Sequence, residues 1–173
     1  MSVDSLREQI REVPDFPKPG ILFYDITTLI KEPKAFAESI DLMTEPFKDA
    51  KVDVVVGMES RGFIFSAPMA IGLGAGFVPV RKLGKLPSET ISVEYALEYG
   101  TNTLEVHKDA IAPGQRVLVV DDLLATGGTV LGTIDLVKQL KAEIVGLSFL
   151  VELLFLKGRA RLGGYDIHSV VQY

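Results

Sequence analysis

The run Val117-Leu-Val-Val-Asp-Asp-Leu-Leu-Ala-Thr-Gly-Gly-Thr129 restricts this chain more than any other. Its first four residues, three of them valine, read as a strand buried on both faces, the kind that lies inside a parallel sheet. Asp121 and Asp122 stand at its C-terminal end, where open α/β sheets bind their ligands. Ala125-Thr-Gly-Gly-Thr129 then leads into a helical pattern set by Val130, Ile134, Val137 and Leu140. Adjacent glycines ahead of a helix let backbone N–H groups turn toward one point, and the helix N-terminus adds partial positive charge there. With the hydroxyls of Thr126 and Thr129 as further donors, the loop suits a phosphate monoester. The carboxylates upstream suit the two neighbouring hydroxyls of a ribose. A phosphate cradle beside a diol clamp describes a ribose-5-phosphate site. Gly127-Gly128 alone would read as a turn and the acids as a polar strand end; strand, acids, threonines, glycines and helix in register favour a ligand.

Other phosphate motifs do not fit. No Gly-Lys-Ser/Thr triphosphate loop is present. Gly72-Leu-Gly-Ala-Gly76 follows a helix and precedes a strand, the reverse of the dinucleotide context, so it reads as a helix C-cap and loop. The 173 residues, almost half of them hydrophobic, suffice for one domain with an ordered core. Cysteine is absent, which excludes disulfides, thiolate metal sites and a cysteine nucleophile, and His107 and His168 are too few for a histidine-built zinc site. A net charge of −5 argues against nucleic acid as a partner. No apolar run reaches membrane-span length and the first residues lack the pattern of a signal peptide, so a soluble cytoplasmic protein without a membrane partner is expected.

The pattern along the chain predicts an α/β fold in a single domain over 1–173. Leu6 and Ile10 suggest a short amphipathic helix over 3–12, followed by an extended connector at Phe16-Pro-Lys-Pro-Gly20. Pro33 opens a helix over 34–47, with Phe36, Ile40, Met43 and Phe47 on one face and Pro46 near its end. Strands at 52–57 and 77–80 enclose a helix at 62–71. Ile91, Val93, Tyr95, Leu97 and Tyr99 alternate with polar or small residues, and a turn at 100–102 leads to a second alternating piece around Leu104 and Val106. The strand at 117–120, a helix at 129–141 and strands near 143–151 and 167–171 complete the order. Strands alternating with helices give a mostly parallel sheet flanked by helices on both faces. The hairpin at 91–107 fits poorly between parallel strands and is expected as a lid on the rim of the site.

Further segments join the central motif. Phe16-Pro-Lys-Pro-Gly-Ile-Leu-Phe23, Glu59-Ser-Arg-Gly62, Arg81-Lys-Leu-Gly-Lys-Leu-Pro87, Leu97-Glu-Tyr-Gly100, Val151-Glu-Leu153 and Leu156-Lys-Gly-Arg159 follow in order. Together they span roughly residues 16–159 and resemble the type I phosphoribosyltransferases, most closely those that act on adenine. The resemblance implies that fold, with a base-covering segment at about 1–35 and a flexible lid at about 82–107. It implies transfer of 5-phosphoribosyl from phosphoribosyl pyrophosphate to N9 of adenine, giving AMP and pyrophosphate in purine salvage. Magnesium would travel on the phosphoribosyl pyrophosphate without a direct protein ligand, and the protein would be a homodimer.

By the same resemblance, Asp121, Asp122, Ala125, Thr126, Gly127, Gly128 and Thr129 hold the 5-phosphate and ribose. Glu59, Ser60 and Arg61 form a pyrophosphate loop whose first peptide bond is often cis in the family, with Arg81, Lys82 and Lys85 as the other cations. Arg61 and Glu98 are the catalytic residues, Glu98 sharing a proton near adenine N7, and Leu22 and Leu123 enclose the ring. Taken alone, the cations read as a solvated loop, Glu98 as an exposed strand residue and both leucines as core. The apolar stretch Leu147 to Leu156 suits a dimer interface, or nearly as well a buried strand and helix. Two positions depart from the common pattern: Tyr24 stands where many relatives have arginine, and Glu59 where they have aspartate. Rival readings are a transferase for another purine, although no lysine or arginine is evident for an exocyclic oxygen, and a non-catalytic ligand-sensing regulator.

Overall fold

The computed structural model describes residues 3–96 and 101–173. It begins with a short helix, α1 (Val3–Arg7), and an antiparallel hairpin of β1 (Arg11–Pro14) and β2 (Leu22–Asp25). The helix expected over 3–12 is thus cut short. Leu6 and Ile10 are both buried, as their spacing requires, but Ile10 arrives there in a turn and Arg11 onward is extended. The connector at 16–20 is likewise a closed turn, not an extended link. It contains a cis Phe16–Pro17 bond, Gly20 N donates to Asp15 Oδ1 at 2.8 Å, and Phe16 N donates to Ile21 O at 3.2 Å.

Two helices follow, α2 (Thr27–Ile30) and α3 (Pro33–Thr44), with Pro33 in the first turn of α3, where its missing N–H costs nothing. A 3-10 turn over Glu45–Phe47 contains Pro46. The remaining order is β3 (Val54–Met58), α4 (Gly62–Leu73), β4 (Gly76–Lys82), β5 (Thr90–Ala96), β6 (Thr101–His107), β7 (Arg116–Leu124), α5 (Gly128–Gln139), β8 (Glu143–Glu152), α6 (Gly158–Arg161) and β9 (Ile167–Gln172). Gly74 caps α4 in the left-handed conformation, as the glycine run suggested.

Seven strands form one sheet in the order β5-β6-β4-β3-β7-β8-β9. β4, β3, β7, β8 and β9 are parallel, while the β5–β6 hairpin joins antiparallel to β4 through Arg81↔Glu105 and Lys82↔Leu104. Over its described residues the expected rim lid is therefore the edge of the main sheet, with Leu104, Glu105 and Val106 buried. Val117 to Val120 are fully buried, with side chains divided between two cores. Leu118 and Val120 meet Leu6, Leu29, Met43, Phe65 and Met69 from α1 to α4, whereas Val117 and Val119 meet Val130, Ile134 and Val137 of α5. Neighbouring strands β3 and β7 thus send their following helices to opposite faces, and the crevice where such connections diverge is where α/β sheets take ligands.

Behind that crevice, α6 is fixed by a buried ion pair. Glu152, 2% exposed at the end of β8, accepts from Arg159 Nε at 2.9 Å and Nη2 at 2.6 Å, and from the Ser169 hydroxyl. Burial alone would raise the Glu152 pKa, but the bonds from Arg159 and Ser169 outweigh it and hold the carboxyl below its ordinary range. A lowered folded-state pKa stabilises fully above the unfolded value, and that contribution is lost as pH falls through the folded one. We expect Arg159→Met to cost about 3 kcal/mol in urea unfolding at neutral pH, the low end for a broken buried pair because Arg159 is partly open. The difference should shrink as pH falls through the carboxylate range. An unchanged unfolding midpoint would mean that the pair does not hold α6.

Candidate active site

The loop after β7 turns sharply into α5. Gly127 precedes the helix with φ 81° and ψ 2°, a left-handed conformation that a side chain would strain. The helix starts at Gly128, one residue earlier than expected. The first N–H groups of any helix have no intrahelical carbonyl to meet. Here Gly128, Thr129 and Val130 supply them, and with Asp121, Leu123, Ala125, Thr126 and Gly127 they line a cavity of about 60 Å³. The loop is braced from behind by α6. A Cβ on Gly158 would lie 2.2 Å from Ala125 O, so only glycine allows this approach, and Arg161 Nη1 donates to Thr126 O at 2.8 Å.

The two acids do not share one environment. Asp122 is 5% exposed and forms an ion pair with Arg61 Nε at 2.9 Å. Asp121 lines the loop cavity, and its Oδ1 accepts the Asp122 N–H at 2.9 Å. Burial and then the charge of Asp122 push the Asp121 carboxyl well above its ordinary pKa. Burial also raises Asp122, with Arg61 opposing it. Asp121 is therefore the acid that faces the loop cavity, and Asp122 is the one that holds Arg61. Arg61 also stands over the Phe23 ring, 5.6 Å from its centroid, and so links the crevice to the N-terminal hairpin.

Glu59 and Ser60, at the end of β3, are joined by a cis peptide bond, as the family resemblance implied. The Glu59 side chain turns toward β4. It accepts from Arg81 Nε at 3.3 Å, Arg81 Nη2 at 3.4 Å and the Lys82 backbone N–H at 3.0 Å. Burial opposes its ionisation, but these donors keep its pKa below the ordinary value. Arg81 Nη1 also donates to Lys85 O at 3.2 Å, which folds the 81–85 segment back on itself and leaves Lys82 and Lys85 exposed. Glu59 thus orients cations. Its length relative to aspartate gives it reach to both Arg81 and Lys82.

A second cavity, of about 360 Å³, lies beside the N-terminal hairpin and is lined by Val13, Phe16, Phe23, Asp25, Thr27 and Arg61. The Arg11 guanidinium beside Asp25 lowers that carboxyl to about 2 and ties β1 to β2. Leu123 is half-buried at the end of β7, but Leu22, 40% exposed, lines a separate pocket with Pro14, Asp15, Gly20 and Ile21, so the structure does not bring the two leucines together. Strand alternation turns Phe23 into the cavity instead. Tyr24 faces elsewhere: its ring lies 3.9 Å from that of Tyr173, centroid to centroid, and Arg7 stands over Tyr173 at 4.4 Å. Glu98 lies outside the described residues.

The comparisons with known proteins agree with this geometry. A family model for the phosphoribosyl transferase domain matches residues 25–162. The adenine phosphoribosyltransferase of Koribacter versatilis is 61% identical over 170 residues, covering 98% of this chain and 93% of that one. The chain belongs to the adenine phosphoribosyltransferase family. Its relative from Clostridium tetani, of the same name, is 59% identical over 97% of this chain and 98% of the other. Among solved structures, the family member from Thermoanaerobacter pseudethanolicus superposes with a TM-score of 0.96 at 52% identity, covering 99% of this chain and 100% of that one. The Saccharomyces cerevisiae enzyme, solved with an imino-altritol bisphosphate and adenine, gives 0.93 at 41% identity over 97% of each chain. Among the described residues no helix is long and apolar enough to cross a membrane.

The structure brings Arg61, Asp121, Asp122 and the 125–129 loop to one crevice, with Glu59, Arg81, Lys82 and Lys85 along its β4 side. It also reveals residues that had no assigned part: Gly62, Phe23, Glu105, Gly158 and Arg161. Gly158 carried a signal, as the glycine of Leu156-Lys-Gly-Arg159. Arg161 carried none, because its contact with Thr126 spans 35 residues of sequence. Gly62 was visible as the glycine after Arg61. A Cβ there would lie 2.7 Å from Asp121 Oδ1 and 3.2 Å from Val120 O. We expect Gly62→Ala to displace that carboxylate and weaken ribose 5-phosphate binding, read by calorimetry, by about 1.5–3 kcal/mol, the worth of one charged hydrogen bond. Unchanged affinity would place the sugar elsewhere.

Proposed function

We propose that the chain is an adenine phosphoribosyltransferase, a pentosyltransferase that joins N9 of adenine to C1 of phosphoribosyl pyrophosphate and releases pyrophosphate in purine salvage. One observation carries the reading: the divergence of β3 and β7 sets a phosphate-sized loop, an acid pair and a row of cations around a single crevice. Identity of 61% to a named family member supports adenine as the base, as does the yeast relative solved with adenine.

In this reading the 5-phosphate sits on Ala125 to Thr129 and Asp121 accepts from the ribose diol. Arg61 lies between diol and base, held by Asp122, and with Ser60, Arg81, Lys82 and Lys85 it meets charge developing on pyrophosphate. Preorganised donors aimed at a leaving group act without reorganisation during the reaction. Glu59 serves by holding Arg81 and Lys82 in place. Adenine lies against Leu123 and, from the hairpin, against Phe23 rather than the expected Leu22, because Phe23 lines the cavity and Leu22 lines a separate pocket. Glu98 shares a proton with N7 as N9 attacks. Magnesium suits this donor set, because a hard cation on the substrate's own oxygens needs little from the protein beyond a carboxylate such as Asp121 for its water. When bound it would neutralise charge on the pyrophosphate oxygens.

The protein is further read as a cytoplasmic homodimer with no nucleic-acid or membrane partner. Leu147, Phe149, Leu150, Val151 and Leu153 belong to the core, but Leu154 and Phe155 just beyond are 49% and 63% exposed, which suits a contact between copies. Light scattering at micromolar concentration should give twice the chain mass, and a monomer would refute the dimer.

Incubation with phosphoribosyl pyrophosphate, magnesium and each purine in turn tests the activity. AMP formation from adenine should far exceed IMP or GMP formation from oxopurines and should cease in excess chelator. Preferred use of hypoxanthine would overturn the base assignment, and full activity without magnesium would overturn the metal–substrate complex. For Glu98, single-turnover rates separate catalysis from product release. Glu98→Gln should slow chemistry by about 10²-fold or more, while Glu94→Gln, exposed on β5, stays near wild type. Equal rates in both variants would remove Glu98 from the mechanism.

A further inference from the structure

Glu105 has no part in the chemistry above, yet it is 3% exposed at the centre of β6, between β5 and β4. An acid between Leu104 and Val106 reads as solvent-facing by alternation, but here both faces of the strand are covered. A buried carboxylate is tolerated only where donors surround it. Its Oε1 accepts the backbone N–H groups of Lys85 and Leu86, both at 3.0 Å, and its Oε2 accepts the Thr90 hydroxyl at 3.4 Å. Burial alone would favour the neutral acid, and these donors hold it ionised instead.

The gripped turn is the one that carries the cations. Lys85 presents its N–H to Glu105 and its carbonyl to Arg81 Nη1, while Glu59 takes the other edge of the Arg81 guanidinium and the Lys82 N–H. Glu59, just after β3, and Glu105 on β6 thus bracket the segment from opposite sides. Remove the Glu105 end, and the Lys85 carbonyl that orients Arg81 is no longer anchored. Both Glu105 oxygens are engaged with protein donors, so its effect on a ligand passes through this backbone.

We propose that Glu105 is a positioning residue that sets Arg81, Lys82 and Lys85 against the pyrophosphate of phosphoribosyl pyrophosphate by fixing the Lys85–Leu86 turn. This rests on reading those cations as the pyrophosphate site. The role depends on reach: aspartate keeps the charge but falls one methylene short, whereas glutamine keeps an oxygen where both N–H groups need it.

The test is calorimetry on the full chain with magnesium phosphoribosyl pyrophosphate and, separately, with AMP, which carries base, ribose and 5-phosphate but no pyrophosphate. Glu105→Asp should bind phosphoribosyl pyrophosphate about tenfold more weakly or worse, the scale of one lost hydrogen bond to a charged group. Its AMP affinity should stay within about twofold, and Glu105→Gln should stay within about threefold for both ligands, because neutral acceptors lose only part of such a bond. In turnover, Glu105→Asp should raise KM for phosphoribosyl pyrophosphate while KM for adenine holds. Wild-type phosphoribosyl pyrophosphate affinity in Glu105→Asp overturns the proposal. So does an equal loss for AMP, which would mean general loosening, or a Glu105→Gln as weak as Glu105→Asp, which would mean that reach is not what the role depends on. Arg81→Ala separates the underlying reading. Normal phosphoribosyl pyrophosphate binding there refutes the pyrophosphate assignment itself, whereas a weakened Arg81→Ala beside a normal Glu105→Asp refutes only the role of Glu105.

Discussion

β3 and β7 are neighbours in the sheet, but α4 and α5 leave them toward opposite faces. That divergence opens a crevice at the carboxyl ends of the strands, with Arg61, Asp121, Asp122 and the 125–129 loop on its walls and Arg81, Lys82 and Lys85 along its β4 side. Two close backbone approaches set its width. Gly62 brings the start of α4 against the Asp121 carboxylate, and Gly158 brings α6 against the Ala125 carbonyl. A methyl group at either place would push the acid or the phosphate loop from its position.

A chain with net charge −5 that binds a polyanion must arrange its charges locally. It does so by turning acids inward onto its own cations and backbone. Asp122 holds Arg61, Glu59 holds Arg81 and the Lys82 N–H, Glu105 holds the Lys85–Leu86 turn, and Glu152 holds Arg159 at the root of α6. Each of these carboxylates is engaged in the protein, so the Arg61 and Arg81 guanidinium groups, and the backbone that carries Lys82 and Lys85, are fixed before a ligand arrives. Preorganisation of this kind reduces what ordering costs at binding. Asp121 is the exception. Its Oδ1 takes the Asp122 N–H, but it holds no cation of its own. Its carboxyl pKa is raised by burial and by Asp122 and the group lines the cavity, so a diol or the water of a bound cation would supply further donors.

Much of this was legible in sequence because it is local. The run 117–129 contains its own strand, acids, loop and helix start; α3 follows from apolar periodicity, and β3 and α4 from apolar runs, all within a dozen residues. What escaped is non-local or competes with a pattern. Leu6 and Ile10 satisfy helical spacing, yet pairing with β2 draws Arg11 to Pro14 into a strand. Glu105 alternates with Leu104 and Val106, yet the Lys85–Leu86 turn and Thr90 cover it. The bond from Arg161 to Thr126 and the stack of Tyr24 on Tyr173 join distant segments, so no window of sequence contains them. That stack also gives the residue standing in place of a common arginine a structural task away from the crevice.

The central claim is spatial: one crevice holds the 5-phosphate on the 125–129 loop and the pyrophosphate on the side of Arg61 and Arg81. A crystal structure of the protein with magnesium and a non-reactive phosphoribosyl pyrophosphate analogue tests it most directly. The account predicts the 5-phosphate within hydrogen-bond distance of the backbone N–H groups of Thr126 to Thr129, the ribose hydroxyls on Asp121, and the pyrophosphate between Arg61 and the 81–85 segment. A 5-phosphate bound away from that loop, or a pyrophosphate that meets neither arginine, would contradict it.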